Sequence, residues 1–253
     1  KAPIQKHVSG NSPGDVWVID LLHLPASNGH EYLLVAVDAF SRYAEAVALK
    51  DRKAATIVQA LVERVLAGHG GMASCVVCDQ GSEFKKEMAQ VCQQLQVGVR
   101  YTASHRSLGH GMVERYNRTL KNTLKRMLNT KEVTGSQWEV TSEGKDRAWE
   151  IAVPWAVLAY NSSVHKSLSL KGEGLSPAEV YLGRQLKVEA ATDVLGMAAE
   201  VAVAPAQYAA QVKEEQRKAA EWVKECRETY NRNMETSANA KGKKMRSFEE
   251  GDT

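Results

Sequence analysis

Glu114 is the single acidic side chain between Arg100 and Lys131, a stretch that also holds eight lysines and arginines. The local balance is +7 in a chain whose formal net charge is only +3. A lone carboxylate in concentrated positive charge is an arrangement that holds a metal ion beside a polyanion, and nucleic acid is the obvious polyanion. Asp20 is a second conspicuous acid. It interrupts the apolar run Val16-Trp17-Val18-Ile19-Asp20-Leu21-Leu22, where a charge is costly unless paired or metal-bound. Asp79 follows Val76-Val77-Cys78 and opens Asp79-Gln80-Gly81-Ser82-Glu83-Phe84, which places it at a strand's carboxyl end, where open α/β sheets bind ligands. Carboxylates that converge repel one another unless they bind hard cations, and oxygen donors are what Mg²⁺ or Mn²⁺ prefers. Two such ions activate an attacking oxygen and stabilise the leaving oxygen of a phosphoryl transfer.

Each acid also has a plainer reading. Asp20 fits a satisfied core aspartate or strand-end cap, Asp79 an Asx-turn, and Glu114 an ordinary helix salt bridge to Arg118. A solvated charged face is common on helices, yet it leaves the local excess of positive charge unexplained. Helical geometry organises that excess. Arg118, Lys121 and Lys125 fall at about 40°, −20° and 20° from Glu114, so one face presents a carboxylate and three cations. Met112, Val113, Tyr116, Leu120, Leu124, Met127 and Leu128 occupy the opposite arc, which predicts packing on a sheet.

The elements that must position these groups follow from periodicity. Val16–Leu24, Glu31–Asp38 and Tyr43–Leu49 read as an antiparallel meander, with turn residues from Pro25 to His30. Ala54–Ala67 reads as a helix, Cys75–Cys78 as a strand, Lys85–Leu95 as a helix and Gly98–Thr102 as a strand. This order predicts an α/β fold with a mixed five-stranded sheet flanked by helices. A helix is expected over Met112–Leu128, a loop over Thr130–Asp146, a helix over Ala148–Asn161 that Pro154 kinks or restarts, and a short helix capped by Ser176. Past a weakly patterned linker, the residues after Ala206 read as a long solvated helix with a narrow apolar stripe. The composition, 43% hydrophobic and 25% charged, is that of an ordinary folded domain, and no apolar run reaches the roughly 20 residues that span a bilayer. Four cysteines are too few for a disulfide scaffold; Cys75 and Cys78 read as buried strand residues.

These blocks resemble the catalytic core of retroviral and long-terminal-repeat retrotransposon integrases, of the gypsy type, within the D,D-E polynucleotidyl transferases. Trp17-Val18-Ile19-Asp20 is similar to that family's W-x-x-D strand, Asp79-Gln80-Gly81-Ser82-Glu83-Phe84 to its D-x-G-x-x-F turn, and Gly111 to Arg118 to its G-x-x-E-R-x-N-R helix start. Val37 to Arg42, Tyr160-Asn161 with His165 and Ser167, and Ser176 to Glu179 with Gly183-Arg184 match further blocks. The loop His105–Gly111 lacks the His-Pro-Gln of gypsy-type relatives, and 34 residues separate Asp79 from Glu114, one fewer than usual.

The resemblance implies an RNase H-like fold with catalytic and metal-binding residues Asp20, Asp79 and Glu114, and two Mg²⁺ or Mn²⁺ ions per site. Asp38 lies outside that triad. Arg118 and Lys121 match positions at which relatives approach viral DNA, and His110 matches a polar position of the active-site loop. With Arg115 and Lys125 they form the candidate DNA-binding set. The implied activity is 3′-end processing and strand transfer of element DNA into target DNA, by a homodimer or higher multimer, without membrane. It implies nuclear action after cytoplasmic assembly. The expected organisation is a linker over 1–14, the core over 15–185, a linker over 186–205, a helical arm over 206–235, and over 236–253 a basic linker with the truncated start of a C-terminal domain. Nothing before Trp17 supplies the family's zinc-binding domain, so Zn²⁺ is not expected in this fragment. Two other readings are a domesticated, non-catalytic DNA-binding or assembly module and an RNase H-type nuclease.

Overall fold

The structure is a computed structural model that describes residues 10–68, 73–79, 87–102, 110–128, 130–134, 137–140, 148–170, 172–186 and 205–240. Three strands open it: β1 (Val16–Ser27), β2 (His30–Asp38) and β3 (Ala44–Leu49). They pair as an antiparallel meander. The first hairpin runs further than its hydrophobic pattern indicates, through Ser27 and His30, because Asn28 and Gly29 alone make the turn. Both have positive φ (47° and 78°), the combination that lets a two-residue turn follow the twist of the strands.

Helix α1 (Ala54–Leu61) continues into a π-helical turn, Val62–Leu66, and leads to β4 (Cys75–Asp79), α2 (Glu87–Gln94) and β5 (Gly98–Thr102). β4 and β5 join in parallel, giving a mixed five-stranded sheet in the order β3-β2-β1-β4-β5. That sheet, flanked by helices, is the architecture expected from the sequence. Helices α3 (His110–Leu128) and α4 (Trp149–Ser162) cover one face, packing on Val18, Leu24, Val35, Val37, Cys75 and Val77. Helices α1 and α2 cover the other, packing on Trp17, Ile19, Leu34, Val76 and Cys78. All four cysteines are buried thiols, none of them in a disulfide.

Asn161 closes the β3 edge. Its Oδ1 accepts from the Ala44 N–H and its Nδ2 donates to the Ala44 carbonyl, both at 2.9 Å, so a buried side chain stands in for a missing strand. At the far end of β2, buried Asp38 accepts from Gly14 N (3.0 Å), Ser41 N (2.7 Å) and Ser41 Oγ (2.6 Å), tying the chain before β1 to the β2–β3 turn.

Three expectations are corrected. The stretch 130–140 is a hairpin, β6 (Thr130–Thr134) with β7 (Gln137–Val140), where a loop was expected; its β-branched and aromatic residues (Thr130, Val133, Thr134, Trp138, Val140) outweigh its polarity. Pro154 lies inside one continuous helix, α4, so the helix does not restart there. The last helix, α6 (Pro205–Ala240), is not merely solvated. Ala219 and Val223 pack on Phe40, Leu168 and Val180, beside the short helix α5 (Pro177–Leu182). Trp222 Nε1 donates to the Leu168 carbonyl (2.9 Å), and Arg227 donates to Gly10 O (2.9 Å) and Ala39 O (3.1 Å) while lying 4.6 Å from the Phe40 ring centroid. No helix among the described residues is long and apolar enough to cross a membrane.

Candidate active site

Strand alternation decides which way the acids point. Val16, Val18, Leu22 and Leu24 of β1 all pack on the α3/α4 side, and Asp20 shares their parity. Cys75 and Val77 of β4 pack on that same side, and Asp79 shares theirs. The parallel pairing of β1 with β4 runs Val16↔Cys75, Trp17↔Val76, Val18↔Val77, and Asp20 and Asp79 each lie two residues past its last pair. By strand alternation both acids belong to the sheet face that α3 and α4 cover.

Helix α3 lays its apolar stripe on this face, as its periodicity predicts: Met112, Val113, Tyr116, Leu120, Leu124 and Leu128 are buried. Glu114, Arg115 and Arg118 are exposed, and Lys121 and Lys125 half-buried. Glu114, Asn117, Arg118, Lys121, Asn122 and Lys125 line a shallow groove of ≈ 320 Å³. The helix is therefore two-sided in the way the charge pattern required, a carboxylate and cations on one face over an apolar seam.

One contact joins helix to strand at this spot. Asn117 Nδ2 donates to Asp20 Oδ2 at 2.7 Å, and the other Asp20 oxygen accepts from the Leu21 N–H at 2.9 Å. Sequence reasoning placed Asn117 in the Gly111–Arg118 block but gave it no role of its own. A signal was present: Asn117 falls in the apolar series 113, 117, 120, 124, where a polar residue needs a partner.

Asp20 and Asp79 thus share the sheet face that α3 covers, and α3 carries Glu114, but the three are not gathered into one cluster. Among the described residues no three His, Cys, Asp or Glu side chains are close enough together to hold a metal ion. The donor set still suits a hard cation. Asp20 and Asp79 supply carboxylates on one sheet face, and the buried Asn117 Oδ1, whose amide nitrogen reaches Asp20, has no hydrogen-bond partner among the described residues. His110 opens α3, with its side chain outside the described residues, as are residues 103–109 of the loop before it and residues 80–86 after Asp79.

Beside the start of α3, Arg42 reaches Met112 Sδ (2.8 Å), Ala39 O (2.9 Å) and Ser167 Oγ (3.3 Å). Burial pulls its guanidinium down to about 10, with Arg227 adding repulsion. The same setting keeps His165 neutral: burial, then the charges of Arg42 and Arg115, pull it down to about 4. Its Nδ1 accepts from the Ser167 N–H at 3.2 Å, which requires the unprotonated nitrogen. The unfolded chain binds this proton near 6.5 and the folded chain only near 4, so stability is full above pH 6.5 and falls as pH drops through that window. His165→Gln is expected to flatten this part of a melting-temperature profile between pH 7 and 4; an unchanged profile would contradict the assignment.

Residues 10–107 match the family model described as the integrase core domain. This part of the chain belongs to the integrase core domain family. The integrase core is 29% identical over 188 residues to the Gag-Pol polyprotein of avian reticuloendotheliosis virus, covering 72% of this chain and 14% of that polyprotein. It is 30% identical over 190 residues to the Gag-Pol polyprotein of koala retrovirus, covering 74% and 10%. The chain therefore spans about a tenth of such polyproteins. Among solved structures it is similar to the simian T-cell lymphotropic virus intasome in complex with the PP2A regulatory subunit B56 gamma (TM-score 0.57, 20% identity, covering 74% of this chain and 60% of that one). It is also similar to the HTLV-2 integrase catalytic core domain in complex with magnesium, in a trimeric form (TM-score 0.52, 18% identity, covering 68% and 99%). At these identities the likeness is one of fold: the mixed sheet with flanking helices is the RNase H-like fold of integrase catalytic cores.

Proposed function

We propose that this integrase core trims the 3′ ends of a long-terminal-repeat element or retroviral DNA and joins them to a target strand, in a reaction that depends on Mg²⁺ or Mn²⁺. The observation that supports this reading is the shared parity of Asp20 on β1 and Asp79 on β4 with residues packed on the sheet face that the helix bearing Glu114 covers. Asp20 and Asp79 would hold the metal, with Glu114 completing the set. When bound, divalent metal supplies the charge that makes the attacking oxygen nucleophilic and stabilises the leaving one. The chain's own groups do the rest. The carboxylates fix where phosphate and attacking oxygen meet, Arg118, Lys121 and Lys125 grip the DNA backbone along the groove, and Arg115 and His110 contact DNA near the start of α3.

Assembly as a homodimer or higher multimer fits the outer face of α4, where Ile151 (66% exposed) and Trp155 (64% exposed) stand one turn apart and a second protein surface would cover them. Among the similar structures are an intasome and dimeric and trimeric forms of a catalytic core, which supports the same reading. Nuclear action on chromosomal DNA after cytoplasmic assembly follows from joining element DNA to a host target.

The test is incubation of the chain and Mn²⁺ with a labelled duplex carrying the element's terminal sequence. Joined strands longer than the substrate support the proposal; cleaved product alone indicates an RNase H-type nuclease, and neither product indicates a non-catalytic binding module. Replacing Arg118 and Lys121 together with alanine should weaken DNA binding and lower the slope of log affinity against log salt by about 2, near 0.9 for each phosphate no longer neutralised. A salt titration by fluorescence anisotropy reads this directly, and an unchanged slope would remove these residues from the DNA path.

A further inference from the structure

Positive charge gathers where α3 begins against the end of α4, and no acid pairs with it. Half-buried Arg42 feels the charges of Arg115, exposed on α3, and of Arg227 on α6. None of the three forms an ion pair with an acid among the described residues. Asp38 reaches Arg42 and Arg227 with its charge alone, because its oxygens are taken by Gly14 and Ser41. Cations held away from water are unfavourable unless an anion completes them.

The side chains around this charge are donors. Arg42 Nε can only donate, so Ser167 Oγ accepts from it at 3.3 Å and turns its own O–H to His165 Nδ1, 2.9 Å away. The Ser167 N–H donates to the same Nδ1 at 3.2 Å. Neutral His165 therefore carries its single proton on Nε2, which has no partner among the described residues. Tyr160 follows, its ring centroid 5.8 Å from that of His165 and its phenol within reach of the charges of Arg42 and Arg115. Its hydroxyl makes no hydrogen bond among the described residues. Tyr116, 1% exposed, packs edge-on against Tyr160 with centroids 4.7 Å apart, and its own hydroxyl is buried without a partner among the described residues. Buried polar atoms left in this state persist where a bound molecule completes them.

We propose that Arg42, Arg115, Tyr160 and His165 form an oxyanion site that takes one phosphate group. The guanidinium fork matches the geometry of phosphate oxygens, and the histidine N–H and the phenol O–H add donors on neighbouring sides. No carboxylate stands among the four, which selects an anion over a metal ion. Met112, which Arg42 touches, and Arg115 lie on either side of Glu114, so the site suits a backbone phosphate of a nucleic-acid strand beside the candidate active site. A free phosphate-bearing molecule offers the same chemistry. The site stands on this geometry; only the assignment of its phosphate to DNA rests on the proposed function.

The probe is inorganic phosphate, titrated into the 253-residue chain by isothermal calorimetry with EDTA present and ionic strength held constant with chloride. The parent chain should bind one phosphate saturably. Tyr160→Phe keeps the ring against Tyr116 and His165, and Arg115→Gln alters an exposed residue, so both should melt within about 4 °C of the parent. Each should weaken phosphate binding by about tenfold, the size expected for one hydrogen bond to a charged group. Arg217→Gln removes a positive charge from the exposed face of α6 and should bind phosphate like the parent. A parent that binds no phosphate would overturn the proposal, and so would equal loss in Arg217→Gln, which marks a general charge effect. Loss in Arg115→Gln with full binding in Tyr160→Phe would also overturn it, placing the ion in the groove of α3 instead. Fluorescence anisotropy with a labelled duplex then separates the sources. Tenfold weaker DNA binding by Tyr160→Phe assigns the phosphate to a DNA strand, and unchanged DNA binding assigns it to a free phosphate-bearing molecule; both outcomes keep the oxyanion site. Neither metal nor joined product is read, so failure here is distinct from failure of the proposed joining reaction.

Discussion

Asp79→Asn and Glu114→Gln are each expected to abolish the proposed strand joining, by about a thousandfold or more, while the chain folds as before. Each change removes one negative charge from an oxygen donor set, and the transition-state stabilisation that metal lends is worth several kcal/mol. Each 1.36 kcal/mol is a factor of ten in rate, so about three factors are at stake. The fold has little to lose. Asn and Gln are close in shape to the residues they replace, and Glu114 is exposed on α3, where substitutions change stability by about 0.5 kcal/mol or less. Glu221→Gln is the control. It removes an exposed acid from α6, paired with Arg217 at 2.6 Å, and should leave joining untouched. A gel of labelled products against melting temperature separates the cases; full joining by either active-site variant, or equal loss in the control, would contradict the assignment.

Asp38→Ala should cost far more stability than either active-site substitution, about 3–5 kcal/mol, because it leaves buried donors with no acceptor. Three donors converge on this carboxylate, at 2.6 to 3.0 Å, from Gly14 and Ser41. The loss spreads beyond the turn. Ala39 next to Asp38 is the carbonyl shared by Arg42 and Arg227, so the turn is the shared anchor of β2, the start of α3 and the docked helix α6. Burial raises the Asp38 pKa while the hydrogen bonds from Ser41 and Gly14 oppose it, so the anion is held by contacts that alanine cannot supply. Urea denaturation measures the loss. A value under about 1 kcal/mol, the size of an ordinary surface effect, would show that Asp38 is not the anchor.

The sheet was legible because its signals are local. The near-continuous apolar run Val16–Leu24 and the Asn28-Gly29 turn specify the hairpin, and the 3.6-residue period of Met112–Leu128 specifies a helix with an apolar seam. Asp20 was legible for a related reason: on its face of β1 it replaces an apolar residue between Val18 and Leu22. What stayed hidden depends on partners distant in sequence. Trp222 and Arg227 dock α6 onto the carbonyls of Leu168, Gly10 and Ala39, and a carbonyl carries no mark of its residue type. The hairpin 130–140 was masked by Lys131, Glu132, Gln137 and Glu139, which read as loop although the β-formers between them decide the outcome. Pro154 reads as a kink or a restart, yet the helix runs on through it, with Val153 and Ala156 on either side buried against the core. Asn117 was hidden by the residue it serves, since nothing in α3 alone says that Asp20 lies beneath it.

The central claim is that Asp20, Asp79 and Glu114 converge on divalent metal, and anomalous scattering from crystals of the chain soaked in Mn²⁺ tests it most directly. The account predicts anomalous density bounded by Asp20 and Asp79, with Glu114 drawn in as a third oxygen ligand at about 2.1–2.2 Å, near the spacing usual for small hard cations. Mn²⁺ density elsewhere on the chain, with the three carboxylates remaining apart, would contradict it.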